Sequence, residues 1–181
     1  MYLFLDTEFT DFKDCDLISL GIVSEDGQHE FYVEITDYTE GWASPFVREV
    51  VVPMLDHSKH GKPFAAASVA LNEWLEALPS KEIIVIIDYG MDHYLFSELV
   101  HDSPVKHSKK TNVRMIDPAF RHVLAERGYH AMNQQQAAWG VIVEQTERYF
   151  RLYDERQHHA LVDAKANRHG WVEGLKIAAS V

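Results

Sequence analysis

Five consecutive β-branched aliphatic residues, Ile83-Ile84-Val85-Ile86-Ile87, carry no polar member at either parity. A half-buried strand alternates between faces, so a run of this kind is apolar on both sides and has to be covered on both. The requirement is an α/β fold, with this strand inside a sheet and helices flanking it. Other segments fit that frame. Residues 2 to 8, 17 to 24 and 29 to 35 read as three strands of an antiparallel meander, with Asp26-Gly27 as a turn between the second and third. Ser44-Pro45 supplies a capping hydroxyl and a proline at the first helical position, which predicts a short helix over Phe46 to Leu55. Val69, Leu71, Trp74, Leu75 and Leu78 lie on or near one stripe of a helix covering Phe64 to Leu78. A short strand, Val113 to Ile116, precedes a helix through Ala119 to Arg127 that Gly128 ends. A helix over Met132 to Trp139 follows, and the last helix begins between Asp154 and His159 and runs to Lys176. The whole is a mixed β-sheet flanked by helices.

A length of 181 residues and an apolar fraction of 46% match one domain spanning the chain, with enough apolar material for a full core. The single cysteine, Cys15, excludes an internal disulfide framework and suits a reducing compartment. No apolar segment approaches the roughly 18 residues of a transmembrane helix. The N-terminus enters a strand without a basic leader. A cytoplasmic protein with no membrane partner is expected.

Ionisable residues stand where these elements begin or end. Asp6 and Glu8 close the opening apolar run Tyr2-Leu3-Phe4-Leu5; Asp92 follows the buried strand and opens the helical stretch Asp92 to Leu99; His158 and Asp163 belong to the start of the last helix. Two residues apart on a strand, Asp6 and Glu8 project to the same side and can hold one cation jointly. Strand ends of open α/β sheets are where ligands bind. Clustered carboxylates without a thiolate favour Mg2+ or Mn2+ over structural zinc. Two such ions roughly 3.5 to 4 Å apart can clamp the attacking and leaving oxygens of a phosphoryl displacement. A histidine, with an unperturbed pKa of about 6.5, can take the proton of the attacking water. Together these features read as a phosphodiesterase. Singly each has an ordinary role: Asp-x-Glu is common at strand ends, and an acid in a first helical turn gains from the helix dipole.

Asp6-Thr7-Glu8-Phe9, Tyr89-Gly90-Met91-Asp92-His93 and His158-x-Ala160-x-x-Asp163-Ala164, in this order and spacing, resemble the three motifs of the DEDDh 3′-to-5′ exonucleases. Beyond the motifs, Leu17 to Val23 with Asp26-Gly27, and Ser44-Pro45-Phe46-Val47-Arg48 leading to Val52-Pro53-Met54-Leu55, are similar to a branch of small bacterial and phage exoribonucleases. The resemblance implies the RNase H-like exonuclease fold and hydrolysis of the 3′-terminal phosphodiester with two Mg2+ or Mn2+ ions. It implies that Asp6, Glu8 and Asp163 bind one cation and Asp6 the second, with Asp92 supporting it directly or through water. His158 would be the general base, and Thr7 and Phe9 would meet substrate, Phe9 by stacking on the terminal base. Single-stranded RNA 3′ ends or overhangs are the implied partner, and homodimerisation is implied as well. DNA exonuclease action is the enzymatic alternative; a non-catalytic RNA- or nucleotide-binding module is the alternative of a different class.

Two positions stay open at this level. Asp88 also follows the buried strand, although Gly90 separates it from the helical stretch, so it reads better as a strand-end or capping residue. Helical spacing favours His159, four residues before Asp163, whereas the resemblance selects His158, five before. The formal net charge of -11 is the strongest argument against a nucleic-acid enzyme, because phosphate backbones are normally held by lysine and arginine. Bound cations would neutralise part of that charge. The remainder fits a grip on one or two terminal nucleotides, for which Lys106-His107-Ser108-Lys109-Lys110 with Arg114 is the basic candidate. His57-Ser58-Lys59-His60 reads as a polar loop rather than a metal pair.

Overall fold

The run Ile83 to Ile87 is covered on both faces. In the computed structural model, which describes residues 1–87, 89–102, 112–116 and 132–179, it forms the strand β5 (Glu82–Ile86). Ile83, Val85 and Ile87 enter one core and Ile86 the other. The remaining strands are β1 (Tyr2–Phe9), β2 (Leu17–Ser24), β3 (Glu30–Ile35), β4 (Gly61–Lys62) and β6 (Asn112–Ile116). They make one six-stranded mixed sheet in the order β4-β3-β2-β1-β5-β6. The β1-β2-β3 meander is antiparallel, while β5 is parallel to both β1 and β6. The expected helix through Ala119 to Arg127, the basic segment from Lys106 to Lys110, and Asp88 lie outside the described residues.

Period-two patterning sorts the meander between two cores. Leu3, Leu5, Leu20, Ile22, Val33 and Ile35 pack beneath α2 (Phe64–Ala77) and α3 (Gly90–His101), against Leu71, Leu75, Leu95 and Phe96. On the other face, Phe4, Val23 and Ile86 pack under α4 (Met132–Tyr153) and α5 (Ala160–Ala178) through Ala138, Ile142, Ala164 and Trp171. Trp171 is fully buried, and its indole N–H donates to Glu25 Oε1 at 3.2 Å. Full burial of an aliphatic side chain contributes about 1.5–3 kcal/mol, so the two apolar layers dominate the stability of this fold.

Three local expectations are corrected. The segment after Ser44 is helical from Pro45, and the Ser44 hydroxyl accepts the Val47 N–H at 3.2 Å as a cap. It then widens into a π-helical turn over Val47–Val51 and tightens into a 3-10 turn over Val52–Met54, where Pro53 has no N–H to continue a regular helix. Residues His57–His60 form a one-turn helix, α1, that delivers β4 beside β3. The helix expected to stop at Trp139 continues to Tyr153. Gly140 suggests a stop because glycine is a weak helix former, yet Ala138, Ile142 and Gln145 are buried at helical spacing and carry the helix through.

Two glycines set how closely α5 approaches. A Cβ on Gly170 would run into the Thr146 hydroxyl and lie 2.6 Å from the Ile142 carbonyl oxygen, so α4 and α5 pack without an intervening side chain. A Cβ on Gly21 would collide with the Leu161 backbone nitrogen. Gly21 pairs with Asp6 in the sheet. The start of α5 therefore rests on the sheet beside Asp6, which brings the chain's last motif to its first. Among the described residues no helix is long and apolar enough to cross a membrane.

Candidate active site

Strands β1 and β5 run parallel, and their C-terminal ends open one cavity of about 340 Å³. Alternation on β1 puts Asp6 and Glu8 on the face covered by α5 and Thr7 on the opposite one. Asp163, in the first turn of α5, lies over them. One ligand atom each from Glu8, His158 and Asp163 come within 4.8 Å of one another, and this is the one such group of three among the described residues. Asp6 and Asp92 line the same cavity outside that triplet.

The two histidines separate. His159 is the cap residue preceding α5, so the helix begins one residue too late for His158 to follow helical spacing. His158 has a left-handed backbone, φ 69°, and its N–H donates to Asp163 Oδ2 at 2.8 Å. That turn aims His158 at the cavity and Glu8. His159 turns the other way and stacks on Tyr32, with ring centroids 4.6 Å apart and planes 22° apart. The ideal-helix choice of His159 is corrected by where the helix starts.

Asp92 is almost fully buried at the beginning of α3. Its Oδ2 accepts the Tyr89 N–H at 3.2 Å, and its Oδ1 accepts the Thr7 hydroxyl at 2.6 Å. It thus caps a helix and ties that helix to β1 while lining the cavity. Thr7, expected to meet substrate, lines the cavity, and its hydroxyl donates to Asp92 Oδ1. Phe9 lines the cavity and also packs on the core, its ring edge-on to Phe12 at 5.2 Å. Phe12 in turn meets Tyr89 at 6.1 Å, and both are largely exposed, so an aromatic rim borders the acids.

Reading the sequence missed the opposite wall. Thr146 and Phe150 of α4 and Asn167 of α5 line the cavity with Gln157. Asn167 lies four residues after Asp163, and Phe150 four after Thr146, the spacing that shares a helix face. The signal existed for Asn167; for α4 it was hidden by ending that helix at Trp139. No lysine or arginine lines the cavity among the described residues.

Burial, then the neighbouring Asp163 and Asp92 carboxylates, push the Glu8 carboxyl up from 4.5 to about 8. A group this reluctant to ionise is one that a cation would relieve, and the donors around it are oxygens and an imidazole with no thiolate, which fits Mg2+ or Mn2+. Cys15 lies elsewhere, and burial raises its thiol to about 11, so it is no nucleophile at neutral pH.

The Glu8 shift has a stability consequence. Below pH 4.5 the group is protonated both folded and unfolded; between 4.5 and about 8 the folded state holds the proton more tightly, so rising pH removes stability through that window. The metal-free protein should melt at progressively lower temperature from pH 5 to 8 as stability on the order of a few kcal/mol is lost. Mg2+ should raise the melting temperature more at pH 8 than at pH 5, and Glu8→Gln should flatten the metal-free profile. Thermal scans across pH measure all three; a Glu8→Gln profile as steep as wild type would remove Glu8 as the cause.

No protein-family model matches the chain, and no curated protein matches it.

Proposed function

We propose that this chain is a metal-dependent 3′-to-5′ exonuclease of the RNase H-like class, trimming single-stranded 3′ ends or overhangs of RNA to nucleoside 5′-monophosphates. The observation that carries the reading is the convergence of Glu8, His158 and Asp163, with donor atoms within 4.8 Å, in a cavity also lined by Asp6 and Asp92. An antiparallel meander followed by parallel strands, with acids at the ends of β1 and at the start of α3, supports the fold assignment. It does so beside the sequence motifs.

Asp6, Glu8 and Asp163 would hold the cations, with Asp92 behind them. Bound there, Mg2+ or Mn2+ would polarise the scissile phosphate and stabilise charge on the attacking and leaving oxygens. The chain's own residues do the rest. His158, turned into the cavity ahead of α5, takes the proton of the attacking water as general base. Asp163 accepts the His158 backbone N–H and so keeps that turn in place. Phe9, with Phe12 and Tyr89 beside it, offers ring faces and edges to the terminal base, a sequence-tolerant contact worth about 1 to 3 kcal/mol per base. The neutral wall of Thr146, Gln157 and Asn167 meets the phosphate and sugar through hydrogen bonds rather than ion pairs.

A paired end is a poor substrate for such a site, because its last nucleotides must unstack at a cost of a few kcal/mol before one phosphodiester can enter in line. A 5′-labelled RNA duplex with a 3′ overhang should give a descending ladder that slows as the enzyme nears the paired region. Added salt should weaken binding only shallowly, since few phosphates are neutralised. Early release of the 5′ label as a mononucleotide, or cutting of a circular single strand, would overturn the assignment. A matched DNA oligonucleotide in the same assay separates exoribonuclease from DNA exonuclease, and the absence of any turnover with Mg2+ or Mn2+ would indicate a binding module.

A further inference from the structure

On the face of the sheet that carries Asp6 and Glu8, β3 contributes two polar residues that the proposed reaction does not use. Glu34 is fully buried, and its Oε1 accepts both the Tyr32 hydroxyl at 3.0 Å and the Asp56 N–H at 2.9 Å. Its other oxygen faces His57 Nε2 at 3.8 Å. Burying a carboxylate this completely is costly unless its bonds fix something. They fix Tyr32, whose ring is also met edge-on by His60 at 5.0 Å. The open face of Tyr32 carries His159.

Among the described residues His159 Nδ1 is buried without a hydrogen-bond partner, and burial favours its neutral ring. The stack on Tyr32 is the ring contact that sets the plane of its imidazole. The adjoining residue, His158, adopts a left-handed backbone that non-glycine residues take only when their surroundings hold them there. From this chain of contacts we propose that Tyr32, anchored by Glu34 and stacked on His159, is a positioning residue that holds the His158 turn in the orientation aimed at Glu8 and Asp163. Its catalytic consequence rests on the nuclease reading above; the positioning does not. Phe46, edge-on to the His158 ring at 4.9 Å, closes the other side.

The mechanism separates the shape of residue 159 from its chemistry. His159→Ala removes the stacking surface, whereas His159→Phe keeps a planar ring and loses both nitrogens. In the full-length protein, His159→Ala should lower kcat on a 3′-tailed RNA with Mn2+ about tenfold at nearly unchanged KM and Mn2+ affinity, and His159→Phe should restore most of that loss. Tyr32→Ala should resemble His159→Ala, and the double variant should be no worse than either single, as expected for two residues acting through one contact. Tyr32→Phe, which retains the stack and loses the hydroxyl's bond to Glu34, should lie between.

The ring resonances of His158 in a ¹³C-labelled sample give a readout independent of turnover. They should shift and broaden in His159→Ala and return toward wild type in His159→Phe. If the wild-type protein hydrolysed neither RNA nor DNA, the nuclease reading would fall and the resonances would still decide the positioning. Unchanged His158 signals in His159→Ala, or equal perturbation by His159→Ala and His159→Phe in variants that keep the wild-type melting temperature, would overturn the proposal.

Discussion

Asp6→Asn is expected to reduce exonuclease turnover by about a thousandfold or more, since each factor of ten is about 1.4 kcal/mol and the lost cation stabilisation amounts to several. Asp6 is the carboxylate assigned to both ions, and asparagine preserves its size and hydrogen bonding while removing the charge. Its sheet partner, Gly21, has no side chain to substitute for it. The fold should survive. Asp6 is only partly buried, and it lines one cavity with the carboxylates of Glu8, Asp92 and Asp163, so losing one like charge should leave the metal-free melting temperature equal or slightly higher. Turnover on 5′-labelled RNA with Mn2+, together with calorimetric titration of Mn2+, measures both effects. A variant with near-normal turnover would remove the two-metal assignment, whatever its stability.

His158→Ala should cost about a hundredfold to ten-thousandfold in kcat, the range usual for a general base, with cation affinity largely retained. The expectation rests on the separation of the two histidines: His158 faces Glu8 and Asp163, and His159 faces Tyr32. His159→Ala should be the milder change, and it should act through orientation rather than proton transfer. Equal losses of cation affinity and turnover in His158→Ala would instead mark His158 as a ligand. Pre-steady-state turnover combined with calorimetry separates these outcomes.

Period and punctuation were sufficient for much of the frame. The apolar run that opens residues 2 to 8, the unbroken Ile83 to Ile87 run and the Ser44-Pro45 cap each state a local preference that the tertiary structure leaves intact, because the packed layers ask for the same thing. Where local preference and packing disagree, packing decides. Gly140 argues for a helix end, and the burial of Ala138, Ile142 and Gln145 outweighs the roughly 1 kcal/mol that a glycine costs inside a helix. The polar segment His57 to His60 has no apolar stripe to announce a helix, and its single turn is closed by β4 pairing with β3 and by rings meeting Tyr32.

For the candidate site, the division follows distance along the chain. That Asp6 and Glu8 share a side depends only on the two-residue period of a strand, and that Asp92 opens a helix depends on its neighbours, so both were readable from sequence alone. Nothing local says that residues 158 to 163 lie over residue 8, some 150 positions away. That is decided by Gly21, whose missing side chain lets the Leu161 backbone come down onto the sheet. Nor could helical spacing choose between His158 and His159, because the choice turns on where α5 begins. The helix begins after His159, where stacking on Tyr32 and the bond from the His158 N–H to Asp163 hold the preceding turn. Local periodicity determined which side chains could act; contacts between distant segments, through close approach and ring packing, decided which of them meet.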